Sequence, residues 1–156
     1  MNHKMRRFRQ QLDRTEIEKI LTQGTNGVLA LDGDNGYPYA VPISYVWRGD
    51  TIYFHSAKSG HKIDAIRRNS RASFCIVAKD EIKAEGFTTY FQSVIAFGKI
   101  EIVDNKEQMI EALRLLSDKY SPGIDPTVEI ERFINNVVIL KFHIEEITGK
   151  QAKELI

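Results

Sequence analysis

Ile52-Tyr53-Phe54-His55-Ser56-Ala57-Lys58-Ser59-Gly60-His61-Lys62 joins two kinds of local structure. Its first half has the β-branched and aromatic residues of a strand. Its second half is a glycine-containing turn leading to Ile63 and Ile66, which have helical spacing. A strand that turns into a helix start leaves backbone N–H groups unpaired at the positive end of the helix dipole, a place receptive to phosphate. Ser56 and Ser59 add hydroxyl donors, and His61 and Lys62 add nitrogen donors, enough to neutralise a phosphate monoester through charge-assisted bonds. A plainer reading stands beside it, in which Ser59 caps the helix and Lys62 is solvated. His55, at the strand end, reads as a hydrogen-bonded structural residue or as a weak catalytic candidate.

Upstream, Thr15 to Gln23 is expected to be a helix, with Thr15 as cap, Glu18 completing a capping box, and Gly24 as the stop. Gly27 to Leu31 reads as a strand, Asp32 to Gly36 as a turn, and Tyr37 to Trp47 as a second strand. Pro38 and Pro42 each remove a ladder donor, so this second strand is expected at an edge or a bulge. Its segment Tyr39-Ala40-Val41-Pro42-Ile43-Ser44-Tyr45 leaves backbone groups that can read the rim of a flat heterocycle. The plainer reading is an ordinary edge strand packing Val41 and Ile43 into the core.

Downstream, Ala72 to Ala78 is almost wholly apolar and predicts a strand buried on both faces, followed by a polar connection from Lys79 to Gly86. Thr88 to Val103 predicts a long strand, bulged near Gln92-Ser93 or at Gly98. A helix capped by Asp104 or Asn105 runs to Tyr120, a short one covers Val128 to Ile134, and Val137 to Phe142 is the last strand. Six mostly antiparallel strands with short flanking helices make a small closed or nearly closed barrel. No GxGxxG follows a strand, and neither a P-loop nor a G-x-S-x-G occurs. The histidines share no ligand spacing, so no metal is expected. Trp47 and the tyrosines and phenylalanines around it exceed what so small a barrel can bury, so some are expected to face a partner or a ligand, a hint of a dimer interface.

With 156 residues the chain suits one domain, residues 1–156, and a net charge of +1 gives no global pull towards nucleic acid or membrane. Lys4, Arg6, Arg7 and Arg9 read as part of a solvated, flexible arm over residues 1–12. The single cysteine, Cys75, cannot form an internal disulfide and reads as inert core. No apolar run approaches the roughly 20 residues of a membrane span, and no signal-peptide core precedes the first helix. A cytoplasmic location is the expectation.

Several motifs together resemble a known family. They are Gly36-x-Pro38-x-x-Val41-Pro42-x-x-Tyr45, then Ile52-Tyr53-Phe54-His55-Ser56-Ala57-x-x-Gly60-x-Lys62, then Phe74, then Ser93-Val94-x-x-Phe97-Gly98, with Ile147-Thr148-Gly149-Lys150 at the end. This set is similar to the pyridoxamine 5′-phosphate oxidase-like FMN-binding split barrels, and within them to the branch of the 5-nitroimidazole resistance proteins. The resemblance implies a six-stranded antiparallel split β-barrel that binds FMN as a homodimer, with the cofactor at the subunit interface. Ser56, Lys62 and His61 would hold the FMN phosphate. Val41, Pro42, Ile43 and Ser44 would lie along the isoalloxazine ring through their backbone, and His55 and Ala57 would line the same cleft. Gln92 and Ser93 would come from the other chain. The arginine and lysine motifs with which relatives hold pyridoxamine phosphate are missing, so vitamin B6 oxidation is not implied. The activity implied is a flavin-dependent reductase, moving electrons from NADH or NADPH to a small acceptor such as a nitro-aromatic or a quinone. The alternative is a non-catalytic module that stores or senses FMN or haem. No motif selects haem or the deazaflavin F420.

Overall fold

The computed structural model describes residues 3–156. Its helices are α1 (Arg14–Gln23), α2 (His61–Arg68), α3 (Lys106–Tyr120) and α4 (Thr127–Phe133). Its strands are β1 (Gly27–Asp32), β2 (Pro38–Ile43), β3 (Val46–Arg48), β4 (Thr51–Ala57), β5 (Arg71–Lys83), β6 (Thr88–Val103) and β7 (Val137–Gln151). All strand pairs are antiparallel, in the order β2-β1-β5-β6-β7-β4-β3. The two edge strands are joined by Ser44 and Tyr45 alone, so Ile43 and Val46 lie within three Cα steps, at most about 11 Å. A seven-stranded sheet whose ends are tied that closely has to curl around its own core.

Seven strands replace the expected six because the predicted strand from Tyr37 to Trp47 breaks at Ser44-Tyr45. The proline expectation holds, since β2 is an edge strand. The polar stretch after Ala78 is not a loop as predicted: β5 continues to Lys83, paired with β6 as far as Thr88. Lys79 and Lys83 flank Glu81 on one face of this extension, giving the polar residues a reason to be strand. Nor is β5 buried on both faces. Phe74 and Ile76 point inward, while Cys75 is half-buried and Val77 is 65% exposed.

A register shift occurs at each of the two alternative places, but the extra residue lies on the strand opposite. Ala78 of β5 is the extra residue facing Ser93 and Gln92, and Glu145 of β7 the extra residue facing Phe97 and Gly98. Gly98 is required there, because a Cβ would stand 1.9 Å from the His143 carbonyl oxygen. The α1 cap is Asp13 rather than Thr15. Its carboxylate accepts the Glu16 N–H at 2.9 Å, and Glu18 pairs with Arg14 instead of reaching back. Asn105 caps α3, accepting from Gln108 N–H. Residues 10–12, read as the end of a free arm, dock on β7: the Gln10 amide donates to the Gln151 carbonyl at 2.8 Å, and Leu12 N–H to Gly149.

The curled sheet encloses one core, centred on Leu29, Phe54, Phe74, Ile100, Leu140 and Phe142, and sealed by α1 and α2. A second core lies outside the sheet, where Met109, Ala112 and Leu116 of α3 and Ile130 of α4 pack on Val46, Val103 and Ile139. Strand β4 divides its side chains between the two: Ile52, Phe54 and Ser56 turn inward, and Tyr53, His55 and Ala57 turn out, on the side of α3. Among the described residues, no helix is long and apolar enough to cross a membrane.

Candidate functional site

The turn between β4 and α2 is built around Gly60, whose φ of 128° is open to glycine and strained for any other residue. Gly60 is itself the residue before the helix, and no side chain caps α2. Ser59 therefore does not serve as the cap, and the first amides of α2 stay available. Space around Gly60 is open, with no atom within 4 Å of where a Cβ would sit. Lys62, one residue into the helix, is half-buried and forms no ion pair among the described residues. Its charge is felt at His55, whose imidazole is driven below its ordinary pKa first by burial and then by Lys62. Unpaired amides, an uncompensated ammonium and a neutral imidazole thus share one corner.

The other residues singled out from the sequence fall around this corner unevenly. His61 stacks on Tyr39 of β2, with ring centroids 3.9 Å apart and planes 22° from parallel, and its Nε2 lies 3.8 Å from Asp34. This contact ties the start of α2 to the edge strand. Along β2, Val41 and Ile43 pack against the core while Pro42 is exposed, so β2 offers its outer backbone edge. Ser56 is buried, and its hydroxyl donates to the Ala57 carbonyl at 3.0 Å. Ala57 is exposed at the end of β4. Gln92 and Ser93 sit on β6 beside Gln151 and Lys150 of β7, in a separate part of the sheet.

Ser44 and His55 meet across a cleft of about 280 Å³, which Leu113, Leu116, Ser117, Tyr120 and Ser121 close from the side of α3. The last turn of α3 grips the strand break beside it. Lys119 Nζ donates to the Tyr45 carbonyl at 3.0 Å and stands 3.8 Å from the centre of the Tyr45 ring. The Tyr120 hydroxyl accepts the Tyr45 N–H at 2.9 Å and lies 2.8 Å from the Tyr45 carbonyl and 2.5 Å from that of Thr25. Tyr45 is fully buried and donates its own hydroxyl to Leu21 at the end of α1. Partial burial lowers the Lys119 ammonium to a pKa of about 8. None of this grip was visible in the sequence, where Tyr120 read only as the end of a helix.

The outer face of the sheet carries a patch of exposed apolar side chains. Val28, Val77, Ile95 and Phe97 lie on it, all more than a third exposed, with Cys75 among them. Burial pushes the Cys75 thiol above its usual range, as suits an unreactive residue.

Comparison with solved structures finds the same fold. A candidate 5-nitroimidazole antibiotic resistance protein from Bacteroides thetaiotaomicron is 24% identical, with a TM-score of 0.79 over 90% of this chain and 86% of that one. The flavocytochrome Anf3 from Azotobacter vinelandii is 22% identical, with a TM-score of 0.80 over 97% and 73%. A FAD-binding protein from Mesorhizobium loti is 27% identical, with a TM-score of 0.67 over 92% and 97%. No curated protein sequence matches the chain. The sequence pattern of pyridoxamine 5′-phosphate oxidase matches residues 13–151, nearly the whole chain. With a seven-stranded antiparallel sheet of the same fold, this chain belongs to the pyridoxamine 5′-phosphate oxidase family.

Proposed function

We propose that this protein is an FMN-binding homodimer that passes electrons from a nicotinamide donor to a small acceptor such as a nitro-aromatic or a quinone. The observation that carries the reading is the uncapped start of α2 at Gly60, with the unpaired, half-buried Lys62 one residue beyond it. Amide N–H groups at a helix start and an ammonium suit the doubly charged phosphate of FMN. His61 adds a second nitrogen donor, already oriented by Tyr39. Ser56 joins this set if its hydroxyl exchanges the Ala57 carbonyl for a phosphate oxygen. The outer backbone edge of β2, from Val41 to Ser44, then runs along the isoalloxazine ring, and His55 and Ala57 border it.

The donor set fits FMN, whose bound ring supplies the two-electron chemistry. The protein's part is to orient that ring and shield it. Burial and then the Lys62 charge hold the His55 imidazole below its ordinary pKa, which disfavours its charged form. A neutral imidazole donates a hydrogen bond without attracting a second anion into the phosphate corner. The apolar outer face around Val77, Ile95 and Phe97 supports a second copy packing there, with Gln92 and Ser93 of the partner subunit completing the site. The solved relatives described as FAD-binding and as a flavocytochrome make a flavin the leading cofactor, with haem as the competing outcome.

The test is the absorption spectrum and mass of whatever copurifies with the protein. FMN is expected, followed by bleaching of its absorbance near 450 nm (roughly the flavin band) on anaerobic addition of NADH or NADPH. A Soret band, or colourless protein that ignores added FMN, contradicts the proposal.

A further inference from the structure

Other clefts of this molecule are lined by charge. One of about 780 Å³ carries Arg71, Lys99, Glu145 and Glu146. The next, about 580 Å³, carries Glu16 and Lys19. The cleft between Ser44, His55 and the last turns of α3 is different, because no Asp, Glu, Lys or Arg lines it. Leu113 and Leu116 give it an apolar wall. The hydroxyls of Ser44, Ser117 and Ser121 face no hydrogen-bond partner among the described residues. Tyr120 contributes its ring, since its hydroxyl is occupied by Tyr45 and Thr25.

We propose that this cleft is a binding site for an uncharged, ring-sized molecule with hydrogen-bonding oxygen atoms, and that Ser117 and Ser121 set its specificity. Identifying that molecule as the electron acceptor rests on the flavin reading above; the binding of an uncharged ligand does not. At about 280 Å³ the cleft lies at the low end of small-molecule sites, far short of a nicotinamide dinucleotide. The leucines offer a flat apolar contact, and the serines offer donors to nitro or carbonyl oxygens. A carboxylate or phosphate would lose water there without a cation on the wall to replace it. Lys119, on the same turn of α3, is turned onto Tyr45. The imidazole of His55 faces the cleft while bordering the Lys62 corner, so a ligand held here sits beside the proposed flavin strand.

Calorimetric titration of the protein with 4-nitrobenzyl alcohol and with 4-nitrobenzoate, each with and without FMN, tests the site. The alcohol is expected to bind at least tenfold tighter than the carboxylate. Ser117→Leu, which fills the cleft, should weaken it at least tenfold more and leave FMN affinity as in the wild type. Ser121→Phe closes the same cleft from the turn beyond the helix and should do likewise, which covers the case of a poorly folding Ser117→Leu. Tighter binding of the carboxylate, no binding of the alcohol to either form, or unchanged binding in a folded variant overturns the proposal. If the alcohol binds and the variants block it while FMN does not bind at all, the cleft stands and the flavin reading falls.

Discussion

The ammonium of Lys119 stands over the ring of Tyr45, 3.8 Å from its centre, and donates to the same residue's carbonyl at 3.0 Å. A charge is thus spent on holding the two-residue break that joins the opposite edges of the sheet. It has a consequence for pH. Lys119 titrates near 8 in the folded protein, below the 10.5 of a free lysine, because partial burial disfavours its charge. Between these values the unfolded chain binds more protons than the folded one, so the Lys119 contribution to stability rises with pH and is lost as pH falls through about 8. The slope should fall well short of the full linkage value of about 1.4 kcal/mol per pH unit, since the ammonium keeps part of its solvation. Urea midpoints at pH 7.5, 8.5 and 9.5 should show the rise in the wild type and less of it in Lys119→Met. Above pH 10 Tyr45 works the other way, because burial raises its phenol and favours the neutral form.

Tyr120→Phe removes the one hydroxyl that accepts the Tyr45 N–H and serves the Tyr45 and Thr25 carbonyls. A buried N–H left without a partner costs about 1–3 kcal/mol. The variant should melt at a lower temperature than the wild type, and a melt equal to wild type would show that the contact carries no energy.

Gly60→Ala separates strain from crowding. The added methyl meets nothing within 4 Å, yet φ at 128° is a region that alanine avoids. Backbone strain of this kind costs about 1–3 kcal/mol. The expected result is a modest fall in stability with a larger fall in FMN affinity, because the turn that aims the α2 amides has to move. Thermal melts and flavin fluorescence titration read the two effects separately.

Much of the fold could be read from residue pattern because its signals are local. The Thr88 to Val103 strand appears with its predicted bounds, α3 takes Asn105 as its cap, and the prolines put β2 at an edge. What failed was set by distant partners. Lys79 to Lys83 has loop composition and becomes strand because β6 lies beside it, and Val77 is exposed because only one face of β5 meets the core. The start of α2 was legible from its own eleven residues. The grip of Lys119 and Tyr120 on Tyr45 was not, because it joins residues 74 and 75 positions apart that no motif links.

Ser56 and Lys62 should differ in what they give the cofactor. The Ser56 hydroxyl already has the Ala57 carbonyl as partner, so binding only exchanges one hydrogen bond for another. Among the described residues, Lys62 has no ion pair to give up. Ser56→Ala is therefore expected to weaken FMN less than Lys62→Ala does, as measured by fluorescence quenching under one buffer.

The FMN dissociation constant of Lys62→Ala against wild type tests the phosphate corner most directly. Loss of a charge-assisted contact costs about 1.5–3 kcal/mol, so binding should weaken roughly ten- to a hundred-fold while the fold is kept. Equal affinity in the two proteins, with both folded, would contradict the assignment of the α2 start as the anchor of the flavin.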